Sequence, residues 1–163
     1  MRLFTFIPLL VVALLSTIIA SAQDGELHPS KRGSWQEIRN AHAGQPTVVH
    51  FWGLTCGPCR VEMPEWGRLL QERTDLKLVV IDADLIPNEA GAAVEMLAKT
   101  GLASAENWIF DDSFVERLRF EIDPQWRGEI PRTMLIARDG TTTTIEGVAD
   151  QAQVRSWLDM QRR

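Results

Sequence analysis

The stretch Thr47-Val48-Val49-His50-Phe51-Trp52-Gly53-Leu54-Thr55-Cys56-Gly57-Pro58-Cys59-Arg60-Val61-Glu62 runs from a strand into a helix. Its first six residues are apolar and β-branched with too few polar positions for a wet face, as in a strand buried on both sides. From Cys56 to about Arg73 the apolar positions Val61, Met63, Trp66, Leu69 and Leu70 follow a helical pattern, with Pro64 expected to kink it. The pair Cys56 and Cys59 sits at the junction. Exposed backbone N–H groups and the positive dipole end at a helix N-terminus favour thiolate over thiol, so Cys56 is the candidate nucleophile. Cys59, one turn on, is close enough to close a disulfide. These are the only two cysteines of the chain. A structural zinc site needs four ligands, and no second Cys or His pair supplies them. The dithiol therefore reads as a redox centre with no metal.

Outward from this centre, Leu76–Ile81 reads as a second central strand and Asn88 as the start of a helix ending at Gly101. A short strand at Asn107–Phe110 and a helix over about Ser113–Phe120 follow. Thr133–Ala137 and Thr142–Glu146 form a hairpin about Arg138-Asp139-Gly140, and Asp150 caps a last helix. Towards the N-terminus, Ser34 caps a short helix ended by Gly44, and Gln23–Gly33 reads as a linker. Alternation closed by a hairpin predicts an α/β domain, a mixed central sheet flanked by helices, over residues 34–163.

Residues 1–22 are expected to be a signal peptide. Arg2 is a thin positive n-region, Leu3–Ala20 is almost wholly apolar, and Ala20-Ser21-Ala22 is a small-x-small cleavage site. The run is also long enough to remain as an uncleaved membrane anchor. Arg2 is the only charge in this segment, so its removal takes the net charge of the 163-residue chain from −5 to −6. A mildly acidic domain without a basic cluster argues against nucleic acid as a partner. Periplasmic or other export would place the dithiol where disulfides persist, so keeping it reduced would need a dedicated electron source.

Phe51-Trp52-x-x-x-Cys56-Gly57-Pro58-Cys59-Arg60 closely resembles thioredoxin. The export signal, the Glu62-Met63-Pro64 continuation and a helix–strand insertion over about 88–110 resemble the exported TlpA/ResA-type thiol-disulfide oxidoreductases. The resemblance covers about residues 34–160 and implies a thioredoxin fold. It implies that Ile130-Pro131 is a cis-proline loop facing the dithiol, where the Ile130 backbone pairs with an extended substrate. It implies an active-site acid at Glu62, which shares a helical face with Cys59 and can exchange a proton with it. Gly57 permits close approach of a partner, and Pro58 stiffens the first turn. Trp52 is either a shield beside the dithiol or a core aromatic, and Arg60 either favours the thiolate or is a surface cation.

Thr55 stands where the family usually has a second Trp, and His50 where Asn or Asp is usual. The loop Ile122–Gly128 is longer than usual. Trp126 is expected to form an apolar wall of a groove opened beside Thr55, whereas Trp108 reads as core. His50 reads as a hydrogen-bonded core histidine or a proton acceptor for Cys59.

The function expected is reduction of disulfides in specific partner proteins. The redox-active disulfide Cys56–Cys59 would be the only cofactor, a membrane donor of the DsbD type would recharge it, and the protein would be a monomer. Two rivals are a dithiol oxidase that donates its disulfide and a copper-binding chaperone using Cys56, Cys59 and a histidine.

Overall fold

The computed structural model describes residues 26–84 and 90–162. The elements in chain order are β1 (Leu27–Ser30), α1 (Ser34–Ala41), β2 (Thr47–Trp52), α2 (Gly57–Glu72), β3 (Lys77–Asp82), α3 (Ala90–Lys99), β4 (Glu106–Phe110), α4 (Val115–Ile122), β5 (Arg132–Ile136), β6 (Thr142–Glu146) and α5 (Gln151–Met160). They build one six-stranded sheet in the order β1-β4-β3-β2-β5-β6. The first four strands of that order are parallel; β5 pairs antiparallel with β2, and β6 antiparallel with β5.

Every residue of β2 is buried, the polar Thr47 and His50 included, as expected of a strand with too few polar positions for a wet face. Alternation sends Val48 and Trp52 to one face of the sheet, where they meet Met63, Trp66 and Leu69 of α2, Ala93 and Leu97 of α3, and Val154 and Leu158 of α5. Val49 and Phe51 point to the other face, against Ile38 of α1 and Val115 and Leu118 of α4. The expected mixed sheet flanked by helices is thus the observed fold, and α3 with β4 forms the helix–strand insertion, β4 lying between β1 and β3.

Three local expectations are corrected. The linker reading of residues 23–33 fails at Leu27–Ser30, which pair in parallel with Asn107–Phe110 as an edge strand. Four residues containing Pro29 carry little strand signal; pairing along β4 supplies what local propensity does not. Val61 does not face the core and is 77% exposed. The buried stripe of α2 runs through Cys59, Glu62, Met63, Trp66 and Leu69, so a glutamate occupies the inward position next to an outward valine. The third concerns Trp126 and is described with the site. The signal-peptide segment and Asn88 lie outside the described residues. No helix among the described residues is long and apolar enough to cross a membrane.

Candidate active site

The turn from β2 into α2 positions the thiols. Cys56 N–H closes it onto Gly53 O at 3.2 Å. Cys56 then caps α2 in an extended conformation, and its Sγ accepts the Cys59 backbone N–H at 3.1 Å. A sulfur at this place is solvated by the helix's own unpaired donor, which favours the thiolate once the bond is reduced. Cys56 and Cys59 form a disulfide, with Cα atoms 5.3 Å apart. The sulfurs differ in access: Cys56 is half-buried, while Cys59 is fully buried among Trp52, Met63 and Trp66. Gly57, Pro58 and Arg60 are exposed around them.

The Ile130-Pro131 bond is cis. The Ile130 carbonyl lies 3.6 Å from Cys56 Sγ, so the loop faces the thiol as its resemblance implied. Beside Cys56 lies a cleft of about 440 Å³, lined by Thr55, Cys56 and Pro58 on one side, Ala83 and Asp84 at the end of β3, and Arg119, Gly128 and Ile130 opposite. Asp84 fixes the lip that carries Cys56, accepting from Thr55 Oγ1 at 2.7 Å and from Thr55 N–H at 3.2 Å. Gly53 lets these walls meet. A Cβ there would lie 2.2 Å from Asp84 Oδ1 and 2.9 Å from Ile130 Cδ1. Gly128 has φ +104° and packs onto the Arg119 guanidinium, which in turn donates to Ala83 O at 3.0 Å. Asp84, Arg119 and Gly128 did not stand out in the sequence. The signal was present only as the acidic triplet Asp82-Ala83-Asp84 closing an apolar strand.

Trp126 is not a wall of this cleft. It is 6% exposed and turned inward, its ring 4.8 Å from that of Phe51 and its indole N–H bonded to Glu129 O at 2.9 Å. Arg119 and Arg132 each lie over the ring, and Arg132 also pairs with Asp123. The long loop curls back on itself because the indole plugs the α1/α4 side of the sheet; burial of so large a ring outweighs display on the surface. Gly128 and Ile130 face the cleft instead. Trp52 is fully buried in the Cys59 cluster, a core aromatic that also covers the inner thiol, and Trp108 is half-buried against the His28 ring.

Behind Cys59, Glu62 is 3% exposed. Its Oε2 accepts the Ala149 N–H at 2.9 Å, which ties α2 to the turn before α5. Burial pushes its carboxyl up to about 7, against a smaller downward pull from the Ala149 N–H and the Trp66 indole N–H. His50 is fully buried beside it, with Nδ1 3.0 Å from Thr133 Oγ1 and Nε2 3.3 Å from Glu62 Oε1. Burial pushes its imidazole down to about 3, so the ring is neutral at ordinary pH. A half-buried Cys56, a fully buried Cys59 and a buried Glu62 thus follow one another along the first turns of α2.

A family model described as Thioredoxin matches residues 28–102. A thioredoxin from Listeria monocytogenes is 30% identical over 94 residues, which are 54% of this chain and 91% of that protein. Sporulation thiol-disulfide oxidoreductase A of Bacillus subtilis is 25% identical over 100 residues, which are 57% of this chain and 60% of that protein, under two thirds of its length. Among solved structures, a secreted Mycobacterium tuberculosis disulfide oxidoreductase homologous to E. coli DsbE superposes with a TM-score of 0.58 at 20% identity. The match covers 74% of this chain and 85% of that one.

Proposed function

This chain belongs to the thioredoxin family, and from that premise we propose that it is an exported thiol-disulfide oxidoreductase of TlpA/ResA type that reduces disulfides in partner proteins. The observation that carries this reading is the asymmetry of the dithiol: a half-buried Cys56 at the head of α2, capped by the Cys59 N–H, and a Cys59 sealed behind it. The Cys56 thiolate attacks one sulfur of a substrate disulfide. A bond forms from Cys56 Sγ to that sulfur, and the other substrate sulfur leaves as thiolate. Cys59 then passes its proton to the Glu62 carboxylate and attacks Cys56 Sγ. The Cys56–Cys59 disulfide forms, the second substrate thiolate leaves, and two electrons have passed to the substrate. Glu62 returns its proton to water. The dithiol carries the electrons, so the cycle needs no metal or organic cofactor.

The Gly57-Pro58 pair, like that of reducing members of the fold, supports reduction as the direction. The apolar run of residues 3–20 supports export, and the secreted mycobacterial neighbour accords with it. In that setting a membrane donor of the DsbD type recharges a monomeric enzyme. The cleft beside Cys56, with the Ile130 backbone on its far side, is where an extended substrate segment would lie. The test is turnover of a protein disulfide with a chemical reductant. Cys56→Ser should abolish it and Cys59→Ser should stall it as a mixed disulfide on Cys56. Equilibration with glutathione should give a potential nearer to the roughly −270 mV of thioredoxin than to the roughly −120 mV of a strong oxidase. Turnover that survives Cys56→Ser would overturn the mechanism, and a potential at the oxidase end would reverse the direction.

A further inference from the structure

Around Glu62 three buried polar atoms are left without a hydrogen bond among the described residues: His50 Nε2, Glu62 Oε1 and the Trp66 indole Nε1. His50 Nε2 and Glu62 Oε1 face each other, 3.3 Å apart but not aligned as a hydrogen bond. The other ring nitrogen meets Thr133 Oγ1 at 3.0 Å, and that hydroxyl makes no second hydrogen bond among the described residues. Donor accounting then selects one tautomer. If Nδ1 carried the hydrogen, the buried Thr133 hydroxyl hydrogen would have nowhere to go, and Nε2 could not donate to a carboxylate. If Thr133 donates to Nδ1, the hydroxyl is satisfied and Nε2–H points at Glu62.

We propose that His50 is the positioning residue of the Glu62 proton carrier: a neutral imidazole, held by Thr133, that offers Nε2–H to the Glu62 carboxylate. The contact would tighten to a hydrogen bond when Glu62 is ionised, the form that must accept the Cys59 proton, and relax when Glu62 is protonated. The proposal rests on the proton-carrier reading of Glu62 given above.

The surroundings fit a neutral donor rather than a second charge. His50 is fully enclosed between β3, β5 and α2, with the Trp66 ring 5.0 Å from its own, and burial keeps it uncharged. Glu62 has the Ala149 N–H from the turn before α5 and the Trp66 indole on its own helix. Of the charged groups on the elements around the pair, Arg132 lies beside Thr133 but is directed to the opposite face, over Trp126. Asp150 caps α5, and Arg60 is exposed. Asp82, opposite Trp52 on β3, is the other acid buried on this face, and its Oδ1 accepts the Asp84 N–H. A buried carboxylate with one hydrogen bond from Ala149, two further neutral donors close by and no cation beside it among the described residues can ionise near neutrality without becoming a permanent ion pair.

The experiment is a titration of oxidised full-length protein labelled at the glutamate side-chain carboxyl carbon, which leaves Asp82 silent, with Glu62→Gln assigning the signal. His50 nitrogen shifts report the tautomer. Wild type should show Nε2–H and a Glu62 midpoint near 7. His50→Phe keeps ring volume and removes the donor, so the midpoint should rise by about one unit, a tenfold change in proton affinity. Thr133→Val is isosteric and leaves the imidazole in place but unheld. With no acceptor for an Nδ1–H, the ring should stay Nε2–H while its contact with Glu62 loosens, so the midpoint should rise in the same direction, which keeps the test decisive if His50→Phe fails to fold. An Nδ1–H tautomer in wild type, or a Glu62 midpoint unmoved or lowered in the variants, overturns the proposal. The proton-carrier reading fails separately: Glu62→Gln would then leave the pH–rate profile of exchange unchanged while the His50-dependent shift is still seen.

Discussion

Val61 and Glu62 sit side by side on α2, and the fold buries the wrong one by ordinary hydrophobic logic. A carboxyl taken out of water resists ionisation, and here its titration is driven up to about 7. Such a group is a poor structural element and a good proton carrier, because it changes state at the pH where the dithiol works. Glu62→Gln keeps an oxygen for the Ala149 N–H and removes the titration. Resolution of a mixed disulfide should then slow on the order of 10²-fold near neutral pH. In wild type the rate should climb as pH rises through about 7, and in the variant that limb should vanish. Stopped-flow release of product thiol from a preformed mixed disulfide measures both. At this scale the disulfide pair was legible, because two thiols at a strand-to-helix junction have few other uses, and helical spacing put Glu62 on the Cys59 face. Asp84 and Arg119 were not, because nothing local tells an acid at a strand end that it will meet Thr55, 29 residues earlier in the chain.

Among the elements, the loop from Ile122 to Pro131 separates what pattern can and cannot tell. Its length was readable and its cis-proline was implied by the family resemblance alone; the direction of its one indole was not readable. A Trp in a polar, Pro- and Gly-containing loop reads as display, yet Phe51 on β2 and two guanidiniums offered a better place for the ring. The same limit applies to β1, where pairing with a distant strand overrode a linker-like composition. The strands β2, β3 and β5 were legible for the opposite reason: strands covered on both faces carry dense apolar runs, such as residues 48–49, 78–81 and 134–136. Trp126→Ala should therefore act on stability, costing about 3–5 kcal/mol by denaturant unfolding. Exchange with a small disulfide and with a protein disulfide should change by the same factor. A selective loss on the protein substrate, with stability intact, would restore the surface role.

At the scale of the whole molecule, the two buried groups on β2 and α2 set opposing slopes of stability against pH. His50 is held down at about 3 from 6.5, so its contribution is complete above pH 6.5 and is lost as pH falls towards 3. Glu62 is held up at about 7 from 4.5, so its contribution is complete below pH 4.5 and is lost as pH rises through 7. Between these ordinary values unfolding takes up one proton at His50 and releases one at Glu62, and the slopes cancel. Stability should thus be nearly flat from pH 4.5 to 6.5. Glu62→Gln should unmask the His50 slope, a rise of about 2–3 kcal/mol across the same window. Urea unfolding at several pH values checks this; a variant curve parallel to wild type would show that Glu62 is not perturbed as described, and a flat variant curve that His50 is not.

The account stands on the division of labour between the two sulfurs, and alkylation of the reduced native protein tests it most directly. A brief pulse of iodoacetamide across pH 5 to 9, with the modified cysteine identified by mass spectrometry, should label Cys56 and spare Cys59. The apparent titration of Cys56 should lie below the ~8.5 of a free thiol. Labelling of Cys59 ahead of Cys56, or a Cys56 that reacts only above that value, would contradict the account.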